Sequence, residues 1–109
     1  MNTEDKKICE LCERKVSSLT EHHLIPREFG GRNLDTVMLC VPCHKQIHAL
    51  FTNKELALKL NSISNLKNNE KIIRYLKFIK KHPGDTHIQI KKSKSVRRKG
   101  YLTFLLFYK

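Results

Sequence analysis

The stretch Leu39–His48, LCVPCHKQIH, holds two metal-ligand spacings and a helix start in one short run. Cys40 and Cys43 form a Cys-x-x-Cys knuckle. Pro42 sits near a helix start, where its missing amide proton has no partner to lose. His44 and His48 are four residues apart, so a helix sets them one turn apart on the same face. A helix presents two imidazoles to one ion in this way. The run just before, TVMLC (36–40), is apolar and partly β-branched and reads as a short strand.

Upstream, Cys9 and Cys12 (CELC) form a second knuckle, with 27 residues between Cys12 and Cys40. Four thiolates at this spacing suit a tetrahedral structural Zn2+, which takes a closed shell of soft ligands. A redox dithiol lacks its usual βαβ surroundings here. Zinc would tie the ends of the unit together and contribute roughly 10 kcal/mol or more to folding. Between the knuckles, LTEHHLI (19–25) reads as a strand ended by Pro26. REFGGRNLD (27–35) reads as a loop, because Gly30, Gly31 and Asn33 are turn residues. The order is strand, loop, strand, helix: a ββα unit with cysteine pairs at its edges. His22 and His23 are adjacent, and neighbouring strand residues point to opposite faces. At most one of them is a natural ligand alongside His44 and His48. The other is free for a different role near the same site.

A chain of 109 residues fits one small domain with an extension. The boundary falls after Phe51: an α+β core over 1–51 and a basic, mainly helical extension over 52–109. So small a core favours a metal staple. No run of about 20 apolar residues exists to span a bilayer. The start, MNTEDKKICE, lacks the apolar region of a secretory signal, so a cytoplasmic location is expected. In a reducing compartment four cysteines hold a metal rather than disulfides.

The formal net charge is +12. Residues 1–50 carry seven basic and seven acidic side chains, whereas 51–109 carry fifteen and three, so the whole excess lies in the second part. Eleven basic residues fall between Lys71 and Lys99, with only Asp85 opposing them. Such asymmetry points to a polyanion, above all nucleic acid. The plainer alternative is a basic surface that only keeps the chain soluble.

TNKELALKL (52–60) opens with Thr52 and has Glu55 three positions on, the capping-box pattern of a helix running to about Leu60. NSISNLKNN (61–69) is polar and is expected to contain a break. NEKIIRYLKFIKKH (69–82) is an amphipathic helix. Ile72, Tyr75, Leu76 and Ile79 share one face. Arg74, Lys77 and Lys81 share another, for phosphate contact or for solvation. THIQIKKSKSVRRKG (86–100), with Lys91, Lys92, Arg97 and Arg98, is a weakly strand-like basic tail. The final YLTFLLFYK (101–109) is suited to docking on the core or on a partner.

Taken together, CELC…EHHLIPREFGG…LCVPCHKQIH resembles the HNH endonuclease family, in its four-cysteine, zinc-containing branch, over roughly residues 9–51. The adjoining ALFTNKELA is similar to the segment after the motif in some small bacterial and phage HNH proteins. The resemblance implies a ββα-metal fold and cleavage of DNA phosphodiesters, most naturally double-stranded. It also implies a catalytic divalent metal, Mg2+, Mn2+, Ni2+ or Zn2+, besides the structural zinc. It makes His22 a ligand of the catalytic metal, His23 the general base and His44 a further ligand. His48 is a ligand in the branches that keep it. The family's middle Asn commonly sits five residues before the second pair's first cysteine, a slot filled here by Asp35. Asn33 lies two residues earlier. Orientation of His23 therefore falls to Asp35 as a carboxylate acceptor or to Asn33 through a longer loop. Arg27 is placed to hold a flanking phosphate, or is simply solvated.

Two other classes remain open from sequence. One is a non-catalytic zinc module that binds nucleic acid; it has no use for His22, His23, His44 and His48 together. The other is a protein-interaction module that uses the C-terminal apolar segment.

Overall fold

The computed structural model describes residues 6–93 and residue 96. The expected contributions of Arg97, Arg98 and the YLTFLLFYK segment lie outside the described residues. The chain runs through β1 (Lys7–Ile8), β2 (Lys15–Val16), β3 (Thr20–His23), a 3-10 turn (Arg27–Phe29) and β4 (Thr36–Leu39). Four helices come next: α1 (Val41–Leu50), α2 (Asn53–Lys59), α3 (Ile63–Asn68) and α4 (Glu70–Ile79).

The expected ββα order is present as β3, β4 and α1. β3 and β4 pair antiparallel, with Thr20 opposite Leu39 and His23 opposite Thr36. Alternation along β4 turns Val37 and Leu39 inward. In the same register His22, opposite Val37, is buried on β3. Cys40 ends the strand in extended backbone and serves as the N-cap of α1, with Pro42 in the first turn. The loop between β3 and β4 reverses through Gly30, whose φ of 86° caps the 3-10 turn in the left-handed region that glycine adopts without penalty.

The first knuckle is built on a small hairpin. β1 and β2 pair antiparallel, Lys7 opposite Val16 and Ile8 opposite Lys15. The CELC segment forms the turn between them, closed by bonds from the Cys9 amide to the Arg14 carbonyl (3.1 Å) and from the Glu13 amide to the Cys9 carbonyl (2.9 Å). This hairpin was not legible in the sequence, since each strand is only two residues long.

α2 carries the full capping box. The Thr52 side chain accepts from the Glu55 amide, and the Glu55 carboxylate accepts from the Thr52 amide. The polar stretch after it holds the expected break, at residues 60–62 and again at Asn69. Between these breaks residues 63–68 form a short helix that the sequence reading did not give, capped by Ser62, which accepts from the Asn65 amide, and anchored by the buried Leu66. Asn69 then caps α4 by accepting from the Lys71 and Ile72 amides. α4 turns Ile72, Tyr75 and Ile79 into the core, and Arg74, Lys77 and Lys81 outward. One apolar cluster runs from Cys9 through Leu39 and Ile47 to Leu66 and Ile79, so the helices of the basic part pack on the same core as the ββα unit.

Beyond α4, residues 86–93 form no strand. They are an arm laid along the surface, in which half-buried residues alternate with exposed ones as far as Ile90. The partial strand character read from the sequence is this alternation, without a partner strand. No helix among the described residues is long and apolar enough to cross a membrane.

Candidate metal centres and the cleft between them

Cys9, Cys12, Cys40 and Cys43 are all buried, and their sulfurs lie within 4.8 Å of one another. The Cys12 and Cys40 sulfurs are 3.8 Å apart. A disulfide needs about 2 Å, whereas ligands at about 2.3 Å from one tetrahedral Zn2+ stand about 3.8 Å apart. The four form a zinc-knuckle-like site. Two side chains already donate to it. Arg14 Nε is 3.2 Å from Cys12 Sγ and Arg14 Nη2 is 3.5 Å from Cys40 Sγ. The Tyr75 hydroxyl, from α4, is 3.3 Å from Cys43 Sγ. Cys12 is drawn far below the usual thiol range by hydrogen bonding with Cys40, Cys43 and Cys9, with Arg14 adding to the effect. The thiolate, the form that binds metal, is therefore favoured there. Burial and then the neighbouring Cys43 push the Tyr75 hydroxyl well above its usual range, so it stays a donor.

The second centre joins β3 to α1. The ring nitrogens of His22, His44 and His48 offer ligand atoms within 4.8 Å of one another. Their ring centroids are 5.1 to 5.2 Å apart and their planes are mutually inclined, so the rings converge instead of stacking. His22 is 1% exposed, and neither of its nitrogens has a hydrogen-bond partner. A buried polar group left so is rare and costly. A cation between the three rings would take up one of its two nitrogens, so the residues fit a metal. Burial, then His48, His44 and His23, push His22 down to about 3. Burial followed by His23 lowers His44, and burial followed by His44 lowers His48. All three are neutral at pH 7, the ligating form.

Thr20 fixes one of these rings. Its hydroxyl donates to the Leu39 carbonyl at 3.1 Å and lies 2.7 Å from His44 Nδ1. A hydroxyl has one proton to give. With that proton on Leu39, Thr20 accepts from Nδ1–H, which leaves His44 Nε2 as the bare lone pair. Such an outer partner orients a ligating imidazole.

His23, on the opposite strand face from His22, opens into a cleft of ≈ 380 Å³. Its walls are Glu21, His23, Pro26, Arg27, Glu28, His44, His48 and Asn53. Of the residues singled out from sequence, the structure therefore gathers His23, Arg27, His44 and His48 at one opening, with His22 buried behind. Asn33 and Asp35 are exposed and do not line that cleft. Asp35 uses its backbone: its carbonyl accepts from the Leu24 amide at 3.2 Å, extending the β3–β4 pairing past His23. Glu21 stands beside His23, with Oε1 3.8 Å from His23 Nε2. Sequence reasoning missed Glu21, although its place two residues before His23 puts it on the same strand face. It also missed Asn53 and Glu28, joined at 2.7 Å. No local pattern brings the start of α2 against the loop after β3. Lys91 and Lys92 are exposed, as are Arg74, Lys77 and Lys81, and none of the five pairs with a carboxylate among the described residues.

Fold and site thus define a small α+β protein of the ββα-metal class with a zinc-knuckle-like cysteine cluster. The HNH endonuclease family model matches residues 9–50, the span that contains both clusters and the cleft's histidines. The chain is 52% identical over 92 residues to the uncharacterized protein YisB of Bacillus subtilis (strain 168), an alignment covering 84% of this chain and 92% of that protein. No solved structure matches the chain. The chain belongs to the HNH endonuclease family, a membership that associates it with metal binding and with nucleic acids.

Proposed function

We propose that the protein is a metal-dependent DNA endonuclease that hydrolyses phosphodiester bonds, acting on double-stranded DNA. One observation carries this reading. A solvent-reached histidine, His23, shares a cleft with two members of a converging three-histidine set whose third member is buried without a hydrogen bond. A module that only binds nucleic acid needs the cysteines and the lysines, but nothing in binding calls for this arrangement.

His22, His44 and His48 would hold a divalent ion, Mg2+, Mn2+, Ni2+ or Zn2+. When bound, it supplies positive charge against the scissile phosphate and the departing oxygen. Thr20 keeps His44 in the tautomer that serves this. His23 takes a proton from a water in the cleft as the water oxygen bonds to phosphorus. The bond to the 3′ oxygen breaks and that oxygen takes a proton from solvent, leaving a 3′-hydroxyl and a 5′-phosphate. Glu21, beside His23, stabilises the imidazolium that forms. Arg27, in the same cleft, holds a flanking phosphate with its fork of donors. The carbonyl of Asp35 secures the end of β3, and Asn33 belongs to the same loop. The cysteines hold structural Zn2+. Residues 1–51 carry the chemistry and 52–109 the grip, with Arg74, Lys77, Lys81, Lys91, Lys92, Arg97 and Arg98 meeting phosphates.

The test is incubation of supercoiled plasmid with the purified protein and each of the four metals, beside His23→Ala. Metal-dependent nicking or linearisation by the wild type only is expected. DNA binding without cleavage under any metal would favour the non-catalytic module. Binding should also weaken with salt, each phosphate contact adding about 0.9 to the slope of log K against log salt. Replacing Arg74 and Lys77 by alanine should lower that slope by about one apiece, read by fluorescence anisotropy.

A further inference from the structure

The bonds from Arg14 to sulfur use only part of its guanidinium. Nη1 also donates to the carbonyls of His82 (3.2 Å) and Pro83 (3.0 Å). One side chain thus spans the cysteine cluster and the turn where α4 gives way to the arm. Past that turn the arm seats closely on the β1–β2 hairpin. A Cβ on Gly84 would come within 1.9 Å of the Lys15 carbonyl oxygen, so only glycine fits there. Asp85 accepts from the Ser17 amide and hydroxyl, both at 3.0 Å, and from Lys6 Nζ at 2.7 Å. Ile88 packs on the core, and the Ser93 amide donates to the Ala49 carbonyl at 2.7 Å.

We infer that Arg14 couples the cysteine cluster to the arm, so that zinc occupancy governs whether residues 82–93 are seated. The inference rests on the zinc reading above. Four thiolates around one divalent ion carry a net double negative charge. Beside them a guanidinium is compensated, and its bonds to sulfur are charge-assisted. No carboxylate pairs with Arg14 among the described residues, so the sulfurs are the acceptors beside its charge. Without the ion nothing holds the four sulfurs at one spacing, so Arg14 loses the fixed acceptors from which it reaches the two carbonyls. Binding linkage makes the effect reciprocal: whatever seats the arm also tightens zinc, by the same factor. Because the arm bears Lys91 and Lys92, zinc at the cysteines then controls part of the basic surface as well as the fold.

The test uses the full chain purified with zinc, with Arg14→Lys and Gly84→Ala. Arg14→Lys keeps the charge but cannot span both partners. Gly84→Ala blocks seating without touching a sulfur. Zinc affinity is read by competition with a chromophoric chelator, and seating by amide hydrogen exchange. Each variant should hold zinc roughly 10-fold more weakly. Each should lose protection over 84–93 while β4 and α1 keep theirs. In the wild type, graded chelation should expose 84–93 before 36–50. Gly84→Ala binding zinc as tightly as wild type would overturn the coupling, as would arm protection indifferent to zinc. Should Arg14→Lys fail to fold, Gly84→Ala decides alone. A chain isolated without zinc and folded without it would instead overturn the zinc reading itself.

Discussion

The two clusters use neighbouring residues of one helix, yet they are built on opposite plans. The cysteine cluster is enclosed, with all four residues buried and with Arg14 and Tyr75 donating to its sulfurs. The histidine cluster is graded, with His22 buried, His44 half-buried and His48 exposed, and it borders a cleft. A metal site closed on every side serves structure, whereas one with an open side leaves room for a reacting group. Under the proposed function the first would serve stability and the second chemistry.

The largest effect should come from the closed site. Cys43→Ser replaces a fully buried ligand and should abolish stoichiometric zinc. Structural zinc is worth roughly 10 kcal/mol or more, on the scale of the whole stability of a small domain. Metal analysis with circular dichroism should find no zinc and no cooperative unfolding transition. The comparison breaks if His22→Ala behaves in the same way.

Within the open site the two adjacent histidines should fail differently. His23→Ala should lose roughly 10²–10⁴-fold in single-turnover cleavage, the usual share of a general base, while keeping its metal. His22→Ala should lose activity together with affinity for the second metal, read by calorimetric titration. Equal metal loss in the two would erase the distinction.

Acid sharpens the contrast further. His22 in the folded protein sits at about 3, against 6.5 for the ordinary side chain. Between those values the unfolded chain binds a proton that the folded one refuses, so stability falls as pH drops from about 6.5 towards 3. Protein holding one equivalent of zinc should show a urea midpoint that declines over the upper part of this window. His22→Leu should flatten the decline. An unchanged slope would mean that the buried ring is not the group responsible.

The smallest effect is expected at Thr20. Thr20→Val removes the acceptor for His44 Nδ1–H and should weaken the second metal by roughly 10-fold, leaving zinc untouched. Equal loss at both metals would point to a general loosening of β3.

The readable parts of the molecule were those written in spacing. The ββα order, each Cys-x-x-Cys pair, the His44–His48 pair and the Thr52–Glu55 cap all arise from residues within one or two turns or along one strand, whereas the choice of His22 over His23 as their partner came from the family resemblance. α3 escaped because Ser62 is followed three residues later by Asn65 and not by Glu or Gln, so no reciprocal cap announced it. The arm and the donors to sulfur escaped for another reason. Arg14 meets the Pro83 carbonyl across 69 positions and Tyr75 meets Cys43 across 32, and no local period encodes such meetings. Glu21 stood between these cases, since strand alternation put it within reach of notice.

Cys40 ends β4, caps α1 and belongs to the cysteine cluster, which fixes where the helix begins its rotation. Each residue advances an α-helix by about 100°, so Cys43 and Ile47 turn to one side and His44 and His48 to the next. Both centres therefore hang on a single angular setting. One residue inserted between Cys43 and His44 would swing the histidines by that whole step, away from His22, while the cysteines stayed in place. The exposed residues 32–34, late in the loop between β3 and β4, line no part of the cleft beside His23 and can be added to or removed at little cost. Insertions and deletions compatible with activity should collect at those residues and be absent from the start of α1, a pattern that a library of single-residue insertions would display directly.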